Sequence, residues 1–392
     1  MAEGITGRIL VVDDNAANRE LLSRRLRRQG HVVEEAENGR IALDRVRADP
    51  FDLVLLDVMM PEVNGYEALE ILKGDPQLRH IPVIMVTAIG ETESIVRCIE
   101  MGAEDHLPKP YNPTLLRARV EASLARKQLH DREQLYARSL ERELEIGRNI
   151  QRSFLPEELP RIAGWDVATC FRPARQVAGD FYDAFALPGG GVALAIADVC
   201  GKGVGAAVFM AALRSILRAS TAHAFDGETD AARDGDRLVD VVARLNEYVA
   251  VTHSRANMFA TLFVAVLRPE TGELAYVNAG HDAPALRAAS GDIERLCPTG
   301  PAVGLLPGLE YHQAAATLRP GDALLAFTDG AADARSEQDT AFGEERLLEQ
   351  LATPPSDAAE LLARIEQAVW SHIGAAEQFD DVTLLALRRD PP

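Results

Sequence analysis

Cysteine is scarce in this chain, and the few cysteines show no paired spacing. The 392 residues include four of them, at Cys98, Cys170, Cys200 and Cys297. Scattered single cysteines argue against a disulfide framework and are typical of the reduced thiols of a cytoplasm. The sequence therefore predicts a cytoplasmic protein without structural disulfides.

Positive charge is also in short supply, and long apolar runs are missing. Lys and Arg number 41 against 60 for Asp and Glu, which gives a formal net charge of −19. Such a charge argues against a nucleic-acid binder that works through a general basic surface. No apolar run reaches bilayer length, and Met1 to Gly7 has neither the basic region nor the apolar core of a secretion signal. We therefore expect no nucleic-acid partner and no membrane segment.

The length points to two domains, because 392 residues exceed one typical core. In the first third of the chain, short apolar segments alternate with helical patterns. The predicted strands are Arg8–Val12, Val32–Glu35, Leu53–Leu56, Val83–Val86 and Ala103–Leu107, and the predicted helices begin near Ala16, Gly39, Gly65, Thr92 and Pro113. This strict alternation predicts an α/β fold, a doubly wound five-stranded parallel sheet with helices on both faces.

Polar side chains follow four of these predicted strands at their carboxyl ends. Asp13 and Asp14 follow the first strand, Asp57 the third, Thr87 the fourth and Lys109 the fifth. Each alone would pass for a helix cap or a surface charge, but ligands of such sheets bind at this edge. A divalent ion held by the three carboxylates would offset the repulsion between a carboxylate nucleophile and a phosphoryl group. The threonine hydroxyl and the lysine would bind phosphoryl oxygens.

Four motifs in this region resemble the receiver domain of two-component response regulators. They are Val11-Val-Asp-Asp-Asn, Leu55-Leu-Asp-Val-Met-Met-Pro61, Val86-Thr-Ala88 and Leu107-Pro-Lys-Pro110. The resemblance covers residues 7–123 and implies that a histidine kinase or phosphotransfer protein phosphorylates Asp57. It also implies a Mg²⁺ shell completed by the Met59 carbonyl. His106 departs from the family, which usually has Tyr or Phe there as a rotating switch residue, so switching linked to Thr87 is expected to differ.

Residues 124–160 form a connector in which charged residues alternate with apolar ones. No proline occurs from Thr114 to Phe154, so a long helix is expected. Some apolar residues fit a heptad, such as Leu129 and Tyr136, but Gly147 and the acidic Glu133 interrupt it. Two alternatives stay open: a solvated single helix, and a short imperfect coiled coil that would make the protein a homodimer.

The second domain, residues 161–389, is centred on one short apolar strand. Asp198 directly follows the strand Val192–Ala197, and a cluster of glycines comes after Asp198. Alone, this aspartate would be taken for a helix cap. Three further acidic motifs lie beside short apolar strands, however: Gly179-Asp-Phe-Tyr-Asp183, Phe327-Thr-Asp-Gly330 and Asp380-Asp-Val-Thr383. Carboxylates without Cys/His spacing favour Mg²⁺ or Mn²⁺ over zinc.

Strand patterns dominate this domain and alternate with a few helical ones. The strands are predicted at Trp165–Phe171, Phe181–Ala186, Ala260–Leu267, Glu273–Asn278, Ala285–Arg287, Tyr311–Thr317, Ala323–Phe327 and Thr383–Leu387, besides the central one. The helices are predicted at Val204–Thr221, Asp236–Val251, Gly343–Leu351 and Ser356–His372. Strands grouped in runs predict an α+β domain with two antiparallel sheets and helices outside.

The acidic motifs resemble the metal-dependent Ser/Thr phosphatases of the PPM family (protein phosphatase 2C), in the bacterial SpoIIE-like branch of sporulation and stress-response enzymes. The resemblance implies that Asp198 bridges two Mn²⁺ or Mg²⁺ ions and that the Val199 carbonyl binds one of them. It implies that Asp180 serves one ion, and that Asp329 and Asp380 serve the other. A water activated by both ions would then attack phosphorus without an enzyme nucleophile. No Cys-x₅-Arg signature supports a cysteinyl-phosphate route.

Four further residues of these motifs have open roles. Asp183 and Asp381 either bind a metal ion directly or hold the metal-binding residues in position. Lys202 either meets the substrate phosphate or has no role in the site. His281 follows a small-residue turn, and a structural histidine is favoured over a catalytic one.

Together these patterns predict a response regulator whose output domain is a phosphoserine or phosphothreonine phosphatase. The family resemblance implies a phosphorylated anti-sigma-factor antagonist (STAS-type) as its substrate in a partner-switching pathway. The alternative is an adaptor that binds a sigma-factor regulator under receiver control with little or no catalysis. Retention of the acidic residues argues against the adaptor, and the charge and the lack of a helix-turn-helix pattern argue against a DNA-binding regulator.

Overall fold

The computed structural model describes residues 5–88, 92–226, 231–253 and 258–391. The chain divides into two compact units, Met1–Leu140 and Glu141–Pro392. Each unit has its own sheets and its own buried clusters. We therefore describe them separately.

Unit one contains a five-stranded parallel sheet with the strand order β2-β1-β3-β4-β5. Helices alternate with the strands along the chain, as the sequence predicts. The elements are β1 (Arg8–Val12), α1 (Ala16–Arg28), β2 (Val32–Ala36), α2 (Gly39–Ala48), β3 (Leu53–Asp57), α3 (Gly65–Gly74), β4 (Val83–Ala88), α4 (Thr92–Glu100), β5 (Asp105–Lys109) and α5 (Pro113–Phe154). Separate apolar clusters cover the two faces of the sheet, which confirms the doubly wound fold.

The fifth strand begins later than the sequence pattern predicts. The predicted segment starts at Ala103, whereas β5 starts at Asp105 and continues to Lys109. The reason is local: the Ala103 amide donates to the Cys98 carbonyl, and Gly102 has a φ of 92°. Ala103 therefore closes the end of α4 in a glycine C-cap and is not available to the sheet.

The helices of unit one begin where short polar side chains can cap them. Asn15, Asn38 and Asn64 each accept hydrogen bonds from backbone amides in the first turn of α1, α2 and α3. At α3 the Glu67 side chain also accepts from the Asn64 amide, which completes a capping box. These caps satisfy amides that have no partner inside the helix.

The predicted connector is a single helix, α5, which has 42 residues and ends just before Leu155-Pro156. Its later part carries exposed apolar side chains, with Leu135 66% and Tyr136 73% exposed. Leu129, Leu140 and Ile150 are exposed on the same helix. The helical connector is confirmed, and its pairing with a second copy stays a prediction.

Unit two contains two five-stranded sheets whose paired strands are all antiparallel, with the orders β13-β10-β9-β8-β7 and β12-β11-β14-β15-β6. The strands are β6 (Trp165–Arg172), β7 (Phe181–Ala186), β8 (Val192–Val199), β9 (Ala260–Arg268), β10 (Glu273–Ala279), β11 (Ala285–Arg287), β12 (Ile293–Arg295), β13 (Ala314–Thr317), β14 (Ala323–Phe327) and β15 (Val382–Arg389). The helices are α6 (Val204–Ala224), α7 (Asp234–Thr252), α8 (Asp329–Ala332), α9 (Glu344–Ala352) and α10 (Ala358–Ile373).

Three apolar clusters give this unit its layers. One cluster joins the two sheets, with Ile196 and Phe263 from the first sheet and Leu324 and Leu385 from the second. A second cluster packs α6 and α7 on the first sheet, and a third packs α9 and α10 on the second. The predicted α+β architecture, two antiparallel sheets flanked by helices, is therefore confirmed.

The structure also corrects several sequence predictions in unit two. The strand predicted at Tyr311–Thr317 is shorter, since β13 starts at Ala314, and neither β12 nor α8 was anticipated. By length and composition alone α6 could cross a bilayer, contrary to the expectation that no segment could. Its Phe209, Met210 and Leu213 are buried in the core cluster beneath the first sheet. Packing against the sheet accounts for the apolar character of this helix.

Candidate functional site

The first site lies at the carboxyl edge of the sheet in unit one, where β1, β3 and β5 end. The Lys109 ammonium lies 2.7 Å from Asp57 Oδ1 and 2.9 Å from Asp13 Oδ2. Both carboxylates are buried, whereas Asp14 is exposed. The structure thus brings together the aspartates and the lysine that the sequence analysis singled out.

The donor set of this site fits a divalent ion. Asp13, Asp14 and Asp57 each offer a carboxylate oxygen, and these oxygens lie within 4.8 Å of one another. Burial raises the pKa of Asp57 to about 6, although the Lys109 ammonium opposes that rise. A hard cation such as Mg²⁺ prefers carboxylate and carbonyl oxygens and would offset this cost. The Met59 side chain is exposed, and the role of its backbone carbonyl as a ligand stays a prediction.

Thr87 and Lys109 approach the site from the neighbouring strands β4 and β5. The buried Thr87 hydroxyl has no hydrogen-bond partner among the described residues. An unsatisfied buried hydroxyl is costly, and a phosphoryl oxygen on Asp57 would supply its acceptor. The Lys109-Pro110 peptide bond is cis.

Three details of this site were not anticipated from the sequence. The buried Tyr111 donates to Asp13 Oδ2 at 3.3 Å, and the Arg19 guanidinium donates to the Asp13 carbonyl. Gly65 starts α3 so close to Asp57 that a Cβ would overlap the Asp57 carbonyl oxygen. Tyr111 was detectable in principle, because it lies two residues after Lys109 at the same strand end.

His106 lies on β5 as the sequence predicts and is partly buried. Its backbone amide donates to Asp105 Oδ1, and Asp105 also forms an ion pair with Arg119. The imidazole Nδ1 lies 3.7 Å from the same carboxylate oxygen, at a position where the family usually has an uncharged aromatic ring. Its effect on switching stays a prediction.

The second site lies in unit two, at one end of its two sheets. Asp198 is the last acidic residue of β8, and Asp180 directly precedes β7, so both come from the first sheet. Asp329 begins α8 directly after β14, and Asp380 lies two residues before β15, so both come from the second sheet. Packing of the sheets brings these four distant positions into one acidic cluster.

Asp180 is the most buried carboxylate of the cluster, and two threonines hold it. The hydroxyls of Thr328 and Thr383 donate to Asp180 Oδ2 at 2.7 and 2.6 Å. These hydrogen bonds fix the position of one carboxylate oxygen of Asp180. Neither threonine was anticipated from the sequence, although both lie inside the motifs Phe327-Thr-Asp-Gly330 and Asp380-Asp-Val-Thr383.

The electrostatics of this cluster fit a site for cations. Burial raises the pKa of Asp180 well above its usual range, and repulsion from Asp198 adds to the rise. Burial also raises the pKa of Asp198, with repulsion from Asp329 as the next cause. Unlike those of unit one, the acids of this site do not form a group of three within 4.8 Å in the part of the chain that the structure describes. The hard oxygen donors of the cluster suit a divalent cation such as Mn²⁺ or Mg²⁺.

Two of the remaining candidates bind backbone or arginine in the structure. Asp381 accepts from the amides of Ala174 and Gly179 at 2.7 and 2.8 Å and so holds the loop before Asp180. Asp183 pairs with two arginines of α6, at 3.0 Å from Arg214 and 2.8 Å from Arg218.

The other two candidates have different surroundings. His281 is buried, its ring Nδ1 lies 2.8 Å from the Thr261 hydroxyl, and burial lowers its pKa to about 4. A neutral, internally bonded histidine agrees with the structural role favoured above. Lys202 lies at the acidic cluster, with its ammonium 2.7 Å from Asp380 Oδ2.

Gln151, near the end of α5, was not anticipated and holds the loop that leads to Asp180. Its side-chain amide donates to the Ala178 carbonyl at 2.7 Å and accepts from the Ala178 amide at 2.9 Å. Both residues are buried. Because a fixed loop fixes the carboxylate at its end, Gln151 is a positioning residue for Asp180.

We therefore expect Gln151→Ala to lower the phosphatase turnover that the sequence predicts by about tenfold and to lower the melting temperature. The substitution leaves two buried backbone groups of Ala178 without a hydrogen-bond partner. Each such group costs about 1–3 kcal/mol of stability. Gln134→Ala, on the exposed part of the same helix, is the matched control. Gln151→Glu keeps the acceptor alone and should be intermediate. Equal turnover in the Gln151 and Gln134 variants would contradict the positioning role.

Two family models match the chain. Residues 188–390, more than half of the chain, match "Stage II sporulation protein E (SpoIIE)", and residues 9–121 match "Response regulator receiver domain". The Protein IcfG of Synechocystis sp. is 41% identical over 63% of this chain and 42% of its own length. The CpxR homolog of Haemophilus influenzae, a transcriptional regulatory protein, is 44% identical over 30% of this chain and 51% of its own. The chain thus spans about half or less of the curated relatives it matches.

Among solved structures, the SiaA-PP2C domain of Pseudomonas aeruginosa is similar in fold. The alignment has a TM-score of 0.53 and 20% identity, and it covers 65% of this chain and 99% of that domain. It supports the PP2C-like architecture of unit two and nothing finer. With its N-terminal receiver domain and a C-terminal PP2C-like domain, the chain belongs to the SpoIIE family.

Proposed function

We propose that the chain is a protein serine/threonine phosphatase whose activity is controlled by phosphorylation of Asp57. The observation that carries the proposal is the convergence of Asp180, Asp198, Asp329 and Asp380 from two sheets at one end of unit two. The receiver in the same chain supplies the control. We assign the receiver to residues 7–123, the connector to 124–160 and the phosphatase to 161–389.

The residues of the phosphatase site have separable roles in this proposal. Asp198 would contribute to both ions, Asp180 to the first, and Asp329 and Asp380 to the second, with the Val199 carbonyl as a further ligand. When bound, the two ions would activate water and hold the phosphate oxygens. The chain itself orients the Asp180 carboxylate through hydrogen bonds from Thr328 and Thr383, which also oppose the rise in its pKa that burial causes.

The receiver acts as the phosphoryl acceptor. The Asp57 carboxylate attacks the phosphorus of a histidine kinase or phosphotransfer protein, and the phosphoryl group moves from histidine to Asp57. Lys109, already paired with Asp57 and Asp13, neutralises the charge that this transfer adds. Thr87 then donates its hydroxyl to a phosphoryl oxygen.

Family membership supports a proposal for the substrate, and α5 supports a proposal for the oligomeric state. We propose that the substrate is a phosphorylated anti-sigma-factor antagonist of the STAS type, dephosphorylated on serine or threonine. We also propose a homodimer through the exposed apolar side chains of α5, since a paired helix would cover Leu129, Tyr136 and Leu140.

Metal removal tests the proposed activity. We expect a chelator to abolish release of phosphate from a phosphoserine protein and Mn²⁺ to restore it, because the acidic cluster needs cations to hold the phosphate. The measurement is phosphate release by the full chain after chelation and after Mn²⁺ is added back. Calcium, with its larger radius and looser coordination, is the matched cation control and should restore less.

The same assay separates the phosphatase from the adaptor alternative. An adaptor would capture the phosphoprotein and leave its phosphate intact at every Mn²⁺ concentration. Undiminished turnover in the chelator would contradict the ion-dependent mechanism.

A further inference from the structure

Lys202 is the one lysine that contacts the acidic cluster among the described residues of unit two. Its ammonium lies 2.7 Å from Asp380 Oδ2 and donates to the Phe379 carbonyl at 2.9 Å. It also lies 4.6 Å from the centre of the exposed Phe379 ring. The cation is therefore held on three sides beside a carboxylate that the proposed function assigns to the second ion.

Both oxygens of Asp380 are engaged in this arrangement. Oδ2 faces Lys202, and Oδ1 accepts from the Asp381 amide at 2.9 Å. The Lys202 charge also acts on Asp329 and Asp381, since it opposes the rise that desolvation, the largest cause, produces in the pKa of each. The ammonium thus interacts electrostatically with the carboxylates that are proposed to bind the second divalent ion.

The loop that carries Lys202 permits it to leave. Gly201 and Gly203 flank it with φ of 93° and 83°, and no heavy atom outside the loop lies within 4 Å of a Cβ built at either glycine. The Lys202 side chain is 35% exposed. The long flexible side chain on this two-glycine loop can leave Asp380 by rotamer change alone.

We propose that Lys202 is a built-in counter-ion for the second metal position: its ammonium neutralises Asp380 while that position is empty, and the incoming divalent ion must displace it. The inference rests on the proposed assignment of Asp329 and Asp380 to one ion. Lys202 therefore weakens the second ion's binding and keeps the carboxylates oriented in the ion-free protein.

Calorimetric titration of the chelated full chain with Mn²⁺ tests this directly. Lys202→Met keeps the length of the side chain and removes its charge, so the weaker of the two unit-two Mn²⁺ affinities should tighten by about fivefold; the partial exposure of the ion pair limits the gain. Lys202→Arg keeps the charge and should match the wild type. Binding of an ion to the receiver contributes equally to the titration of every variant. Differences between the variants therefore report on the ions of unit two.

Arg335→Met is the matched control. The Arg335 guanidinium lies over the same Phe379 ring at 5.0 Å, but its ion pair is with Asp339 and not with Asp380. Its Mn²⁺ affinities should stay within about twofold of wild type, since the effect requires direct contact with the ligand. An equal gain in Mn²⁺ affinity in both methionine variants would mean that the effect comes only from the change in net charge, and it would overturn the proposal.

Other outcomes also decide between the claims. Unchanged or weaker Mn²⁺ binding by a folded Lys202→Met variant, with turnover retained by the wild type, overturns the counter-ion role and leaves the phosphatase intact. Tighter binding of the second Mn²⁺ ion by Lys202→Met, together with no phosphoprotein hydrolysis by the wild type, supports the counter-ion role and contradicts the proposed phosphatase activity. Circular dichroism and the melting temperature of each variant establish that it is folded.

Discussion

Asp198→Asn should abolish phosphatase turnover, with a loss of more than about 100-fold. Asp198 is shared between both proposed ions, so one neutralised carboxylate weakens two sites at once. Even residues behind a metal ligand typically contribute about 10–100-fold to metal affinity or activity, so the shared ligand itself should contribute more. The measurement is phosphate release from a phosphoserine protein across a Mn²⁺ titration.

Stability distinguishes loss of ions from loss of folding in this variant. Burial raises the pKa of Asp180 and of Asp198, and repulsion among the neighbouring carboxylates adds to the rise. Replacing one of them with asparagine removes part of that repulsion, so the ion-free melting temperature should not fall. The added stabilisation by Mn²⁺ should shrink, because a ligand stabilises only in proportion to its binding.

Asp240→Asn is the control for this experiment, since Asp240 is an exposed aspartate on α7 outside the acidic cluster. It should keep wild-type turnover and wild-type Mn²⁺ stabilisation. Full turnover in the Asp198 variant would contradict the two-ion assignment and favour another origin for the activity.

Asp57→Asn should eliminate phosphorylation of the receiver and the response of the phosphatase to a phosphodonor. Asp57 is the only carboxylate that ends β3, and Lys109 contacts it directly. Asparagine has no anionic oxygen to attack phosphorus, so no acyl phosphate can form. Intact-mass measurement after incubation with a small phosphodonor should show one label on the wild type and none on the variant.

The paired functional measurement compares phosphatase rate with and without the phosphodonor. The wild type should show two different rates, whereas Asp57→Asn should show one. Asp44→Asn, an exposed aspartate on α2, should behave like the wild type in both assays. Recovery of the acyl phosphate on another residue, with Asp57 unmodified, would remove the receiver assignment.

The pH dependence of the ion-free protein follows from the same carboxylates. The folded pKa values of Asp180 and Asp198 are raised above their unfolded values. Protonation therefore favours the folded state, and stability should fall as the pH rises through the folded pKa values. A melting temperature of unit two that increases with pH between 5 and about 8, in chelator, would contradict this picture.

Much of the architecture was accessible from the sequence, because strand and helix periods are local properties. The alternation of short apolar segments with capped helices determined the parallel sheet of unit one, including Asp13, Asp57 and Lys109 at the carboxyl edge. In parallel βα units every strand ends at the same edge, so sequence position translates directly into spatial position. Asp198 was accessible in the same way, as the polar end of a buried strand.

The tertiary structure alone decided which side chains meet in unit two. Lys202 contacts Asp380 across 178 residues of chain, and Thr383 reaches Asp180 across 203. Asp381 and Asp183 carry the same functional group, yet one binds backbone amides and the other two arginines. Antiparallel sheets alternate their side chains between two faces and can pack in several ways, so the residue motif does not say where each carboxylate points. Packing of the two sheets decided those directions, and with them the separation of candidate ion ligands from the residues that hold them.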